Sequence, residues 1–183
     1  KGPCFSVNTA CSSSLVALDA GLANLRLHRC EGALVGAVQL QLEPGSWAAM
    51  GALNALAPDG QCKTFDSQAD GYGRSEGCGA LLLEHTQVES AMAVLGSATN
   101  QDASGRLPTC FILGSSVNQD GRSASLMAPN GPSQQEVIRA ALALAEMQSV
   151  SVVETHGTGT ALGDPIEVGA LYRVLGASAS RVS

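Results

Sequence analysis

Apolar residues recur at three- and four-residue spacing in two long stretches of this chain. Over 12–28 the recurring positions are Leu15, Leu18, Leu22 and Leu25, which predicts a helix with one face turned to a core. Ser12, Ser13 and Ser14 stand at its start, where short hydroxyl side chains satisfy free backbone N–H groups. Over 133–147, Val137, Ile138, Ala141, Leu142 and Leu144 form a second stripe, and Ser133 with Glu136 reads as a capping box. A third helix opens at Asp164-Pro165-Ile166-Glu167, with Asp at the N-cap, Pro in the first turn and Gly176 as its stop. A short helix over 46–56 is halted by Pro58-Asp59-Gly60.

Between these lie short apolar blocks bounded by turn residues: 4–7, 33–42, 78–84, 110–117 and 150–154. Such blocks predict buried strands. Strands alternating with helices predict an α/β fold, with helices packed on a sheet. Residues 57–79 read as a glycine-rich loop. The run 96–102 is nearly repeated at 114–120, too short and isolated for a solenoid. This marks residues 86–110 as a loop insertion.

Composition narrows the picture. The 183 residues are 45% hydrophobic but only 3% aromatic, with 21 glycines. That fits close-packed helices and strands and excludes a disordered chain. Net charge is −6 and no Lys/Arg run exists, so no nucleic-acid footprint is present. No apolar run approaches the length of a membrane span. The six cysteines form no C-x-x-C pair and stand at no zinc-ligand spacing from a histidine, so no metal site is expected. Their scatter predicts reduced, mostly buried thiols in a cytoplasmic protein. Lys1 at one end and Arg181-Val182-Ser183 at the other read as cuts inside a domain.

Two residues stand out chemically. Cys11 lies where a strand turns into a helix, so its sulfur meets unpaired N–H groups and the positive end of the helix dipole, which favours the thiolate. Small neighbours leave room for a substrate. A structural cysteine is the competing reading, and the turn context leaves the two about even. His156 follows a strand and opens the run Gly157-Thr158-Gly159-Thr160. Glycines there let a ligand approach the backbone, and the imidazole stands over a site floor. A capped turn with a structural histidine is the alternative. A Cys/His pair must meet in space to act together.

Taken in order, the motifs become specific. Residues 7–15 (V-N-T-A-C-S-S-S-L) resemble the active-site segment of β-ketoacyl synthases, most closely those of modular type I polyketide synthases. Residues 65–79 (F-D-S-Q-A-D-G-Y-G-R-S-E-G-C-G), 118–134 and 154–169 (E-T-H-G-T-G-T-A-L-G-D-P-I-E-V-G) are similar to further segments of that family in the same order. The resemblance implies a thiolase-like, layered α/β/α/β/α fold, incomplete here, with residues 1–183 forming one partial ketosynthase domain. It implies Cys11 as the acyl-carrying nucleophile and His156 as the first of two catalytic histidines, acting in decarboxylation and on the developing oxyanion. Thr158 and Thr160 correspond to positions that contact a phosphopantetheine arm. It further implies acyl and malonyl-type thioesters, an acyl carrier protein as partner, a homodimer and no directly bound cofactor. The family's second histidine and its lysine, in a Lys-Ser-Asn-Ile-Gly-His segment, are not in this chain, so the piece alone is expected to be inactive. A fatty-acid β-ketoacyl synthase, a thiolase, a non-catalytic ketosynthase-like partner and a non-elongating acyl-transfer ketosynthase are the rival readings. The cysteine at position 11 speaks against the non-catalytic partner.

Bland readings are preferred for the remaining features. Asp66, Asp70, Arg74 and Glu76 read as paired structural charges in a loop. Trp47, Met50 and Met127 read as core or interface residues, and Asn118 and Asp120 as turn formers.

Overall fold

The computed structural model describes residues 2–85, 110–123 and 128–176. The expected insertion at 86–110 and Met127 therefore lie outside the described residues, Cys110 excepted. The chain divides into two compact units, one drawn from 1–37 and 79–115, the other from 38–78 and 116–183.

In the first unit a single 3-10 turn, Ala10–Ser12, leads into helix α1, Ser13–Arg26. Strand β1, Gly32–Gln39, pairs with strand β2, Gly77–Glu84. Gly32 sits against Leu83 O and Gly36 against Gly79 O, so the register is antiparallel. Leu25 of α1, Val35 of β1 and Leu83 of β2 form the buried core, with Ala17, Leu18, Leu22, Ala33, Cys30 and Ile112 packed around it. Leu15 alone of the expected stripe is exposed. Helix and sheet approach closely because α1 carries Gly21 at the crossing. A Cβ there would stand 3.0 Å from Val35 Cγ2 and 3.2 Å from Leu83 Cδ1.

The second unit holds α2, Pro44–Ala52, the glycine-rich loop, α3, Gly131–Leu144, and α4, Gly163–Leu175. Helix α2 starts two residues before the expected Ser46, because Pro44 fits the first turn. It ends at Ala52, since Asn54 turns to φ +51°. A parallel bridge joins Leu56 to Tyr72 across the loop. Helices α3 and α4 pack on each other, and α4 buries Ala170, Leu171 and Leu175. No helix among the described residues is long and apolar enough to cross a membrane.

Several expectations are corrected. Segments 4–7 and 110–117 form no strand, and 150–154 holds only a single bridge residue. Short apolar blocks favour extended chain, but a strand needs a ladder partner that local sequence does not supply. Segment 110–117 instead covers the first unit's core through Ile112, and Ser115 Oγ donates to Asp19 Oδ1 at 2.7 Å. Helix α3 is capped by Asn130, whose Oδ1 accepts from Ser133 N at 3.1 Å, with a proline in its first turn. Ser133 is thus inside the helix and not its cap. Helix α4 has Leu162 at its N-cap, and Asp164 lies within its first turn. Five of the six cysteines are exposed and Cys30 is half-buried, because they sit on turns, strand edges and loop surfaces.

Candidate active site

Cys11 lies in the middle of the 3-10 turn that opens α1, and it is exposed. The residue before it, Ala10, has φ +58°, a conformation costly for any side chain. The surrounding hydroxyls hold this turn. Ser12 Oγ donates to Thr9 O at 2.9 Å, Ser13 Oγ donates to Ala10 O at 2.7 Å, and Ser13 Oγ accepts from Thr9 N at 2.8 Å. Asn8 Oδ1 accepts from Ala10 N at 3.2 Å. The serines therefore brace the bend that lifts the thiol, besides lying at a helix start. The sharp turn presents Sγ to solvent as a nucleophile elbow presents a serine.

His156 belongs to the second unit. It is exposed, on a loop whose backbone is held by two carboxylates of α4. Glu167 accepts from His156 N at 2.8 Å and from Gly157 N at 3.0 Å, one oxygen to each. Asp164 Oδ1 accepts from Gly159 N at 3.1 Å and Thr160 N at 3.4 Å. Its other oxygen accepts from Phe65 N at 2.8 Å. Asp164 is 4% exposed, so its desolvated charge is balanced by these backbone dipoles. The glycine-rich loop closes on the same segment: Gly71 N donates to Gly159 O at 2.9 Å and Thr64 Oγ1 donates to Gly157 O.

Thr158 and Thr160 share this loop, half-buried, with their hydroxyls 3.4 Å apart. Thr160 Oγ1 also accepts from Gly163 N at 3.1 Å, which ties it to the start of α4. The loop charges do not pair as expected. Asp70 binds Lys63 at 2.7 Å, and Glu76 accepts from Gln41 N at 2.6 Å. Asp66 folds onto the amide of Gln68. Arg74 stacks 5.1 Å over the ring of Trp47 and donates to Ser46 O, so this partly exposed Trp is a cation–π platform. Asn118 Nδ2 donates to Ser133 O, and Asp120 accepts from Asn130. Both thus fasten the loop before α3 to that helix. Among the described residues no His, Cys, Asp and Glu group could hold a metal.

The sequence reads Asp164 and Glu167 as helix-capping residues, with an ion pair near the active-site loop as the alternative; the structure shows both carboxylates holding backbone amides of that loop instead. Their spacing of three places both carboxylates on one face of a first helical turn. That was the available signal.

The profile described as Beta-ketoacyl synthase, N-terminal domain, matches residues 1–89, and that described as Beta-ketoacyl synthase, C-terminal domain, matches residues 109–183. The chain is 46% identical over 178 residues to polyketide synthase GfsA of Streptomyces halstedii, covering 96% of this chain and 2% of that protein. It is 44% identical over 183 residues to erythronolide synthase EryA2 of Saccharopolyspora erythraea, covering 99% of this chain and 5% of that one. The ketosynthase from module 6 of the bacillaene synthase of Bacillus subtilis superposes with a TM-score of 0.83 at 37% identity, over 97% of this chain and 30% of that chain. These relatives are polyketide synthases, which does not favour the fatty-acid or thiolase readings. The fold is thus the thiolase-like fold of ketosynthases, seen in part, and the chain belongs to the β-ketoacyl synthase family of acyl-condensing enzymes.

Proposed function

We propose that this chain is the part of a polyketide-synthase ketosynthase domain that carries its acyl nucleophile, Cys11, and one catalytic histidine, His156. The observation that carries this reading is the exposed Cys11 on a strained turn at the head of α1. Four other cysteines are exposed as well, so it is the braced bend at Ala10 that sets Cys11 apart from an inert thiol.

Two stages follow. In the first, Cys11 Sγ attacks the carbonyl of an acyl thioester on a carrier protein's phosphopantetheine. The new C–S bond forms as the pantetheine thiolate leaves, and the backbone N–H of Cys11 faces the developing oxyanion. In the second, a malonyl-type thioester on a carrier loses CO₂, and the electron pair of the broken C–C bond passes into an enolate. The imidazole of His156 stabilises the enolate oxygen. The enolate carbon then attacks the Cys11 thioester, the cysteine thiolate leaves, and a β-ketoacyl thioester remains on the carrier. Thr158 and Thr160 offer hydroxyls to the pantetheine arm from the same loop. No metal or resident cofactor enters these steps. The homodimer and the cytoplasmic setting belong to this reading too.

The test is acylation of the complete ketosynthase by an acyl thioester, followed by intact mass and peptide mapping. One acyl group on Cys11, lost in Cys11→Ala, is expected. Undiminished acylation of the alanine variant refutes the assignment.

A further inference from the structure

The chemistry above uses the imidazole of His156 but not the carboxylate beneath its backbone. We propose that Glu167 is a positioning residue for His156, fixing the height and direction of the imidazole through the two amides it holds. The proposal rests on the reading of His156 as the residue that serves decarboxylation.

Three observations carry it. The hold is bidentate on consecutive residues, 2.8 Å to His156 N and 3.0 Å to Gly157 N. Gly157, the second residue held, has φ +50°, a left-handed conformation that favours glycine. A Cβ at Gly157 would stand 2.7 Å from Thr64 Cγ2, so the neighbouring loop keeps the position bare. Glu167 also sits on a helix that cannot slide freely, since α4 is anchored by buried Ala170, Leu171 and Leu175 and by Asp164 one turn earlier. Together Asp164 and Glu167 hold four of the five amides between His156 and Thr160. The Cα of His156 is therefore referenced to α4 rather than to the strand-like segment before it.

The charge and the length of Glu167 both matter. Glutamine keeps one acceptor but sets an NH₂ against the second amide N–H. Aspartate keeps the charge but retracts it by one methylene. Displacing a catalytic group by about 1 Å is enough to cost about 100-fold in rate.

The test uses the complete ketosynthase and two readouts from one sample: acyl loading onto Cys11, and CO₂ release from a malonyl thioester. For Glu167→Gln, CO₂ release is expected to fall about 10- to 100-fold, with loading within about 2-fold of the parent because loading, in the proposed reading, uses the Cys11 thiol and not the His156 imidazole. Glu167→Asp should lie between the two, and it replaces Glu167→Gln if that variant does not fold. A parallel fall of loading and CO₂ release would show a merely structural residue and overturn the proposal. Unchanged CO₂ release in Glu167→Gln, beside its loss in His156→Ala, overturns the proposal and leaves the role of His156 standing. Unchanged CO₂ release in His156→Ala removes the role of His156 and the proposal with it.

Discussion

Phe65 N donates to Asp164 Oδ2 at 2.8 Å, joining two residues ninety-nine positions apart. The other oxygen of the same carboxylate holds Gly159 N and Thr160 N. One buried side chain therefore pins the glycine-rich loop and the histidine loop to the first turn of α4. Removing it strands three backbone donors. Asp164→Ala is expected to cost about 3–5 kcal/mol, as for an uncompensated break in a buried charged network. Asp164→Asn keeps one acceptor oxygen and should cost less, about 1–3 kcal/mol. Urea unfolding midpoints of the complete ketosynthase measure both. A neutral Asp164→Asn beside a costly Asp164→Ala would show that the side chain acts by volume and one acceptor and not by its charge.

Gly159 lies directly on this joint. It has φ +70°, and a Cβ there would stand 2.9 Å from Lys63 N and 3.1 Å from Gly71 O. Both neighbours are backbone atoms, and Gly71 is itself bonded to Gly159 O, so neither yields without opening the loop. Gly159→Ala combines a strained conformation, about 1 kcal/mol, with overpacking of about 1–3 kcal/mol. A loss of that order in unfolding free energy is expected, with reduced CO₂ release as the histidine loop shifts. A neutral result would mean that the two loops do not pack this closely.

In the first unit, Leu83 closes the small core between α1 and the sheet. It is 8% exposed and meets Leu25 and Val35. Leu83→Ala should destabilise by about 2–5 kcal/mol, since only a few side chains remain to fill the space. The same truncation at Leu82, on the strand's exposed side in this chain, should cost less. The difference in denaturation midpoint between the two variants checks the assignment of faces.

The periodic helices were legible because period 3.6 needs no partner to show itself. α1 and α3 begin and end within a few residues of their stripes. Their caps were less legible. Asn130 and Ser133 are both good cap residues, and Pro132 between them was the deciding sign, since proline favours the first turn over the residues before it. Strands β1 and β2 were found, whereas 4–7, 110–117 and 150–154 were over-read. An apolar run records a preference for extended chain, and pairing is decided elsewhere. Burial of the cysteines was over-read too, because thiol burial is a tendency of residue type and the turn at Cys11 overrides it. At the site, the motif order marked Cys11 and His156. What holds His156 was hidden, because Glu167 reaches back eleven residues and only the folded loop shows where its oxygens land.

His156→Ala separates the two chemical stages. The imidazole is assigned to the enolate oxygen, so acyl transfer to Cys11 should persist while condensation falls by about 100-fold or more, the usual cost of one oxyanion-stabilising group. Loading is read by intact mass, and condensation by appearance of the β-ketoacyl product. Condensation at the parental rate would refute this role.

Lys63 gives a prediction with a definite shape in pH. Its ammonium binds Asp70 Oδ1 at 2.7 Å and Asp59 Oδ2 at 2.9 Å. The hydrogen bond that Lys63 donates to Asp70, then that to Asp59, raises the Lys63 ammonium above the ordinary lysine value. The hydrogen bond from Lys63, then the amide of Gln61, holds Asp59 below the ordinary carboxylate value. A raised lysine stabilises the fold at every pH below its unfolded value, and that contribution is lost as pH rises through the folded one. A lowered carboxylate stabilises above its unfolded value, and the contribution is lost as pH falls through the folded one. Against Lys63→Met, the parent should therefore hold a constant stability advantage between about pH 5 and pH 9 that shrinks beyond both ends. Both carboxylates are solvent-exposed and the lysine is only half-buried, so the advantage is small and high salt narrows it. Unfolding midpoints of both proteins across pH, at low and high salt, decide the matter. A gap that stays constant from acid to alkali would assign the stabilisation to the lysine's aliphatic stem and not to its charge.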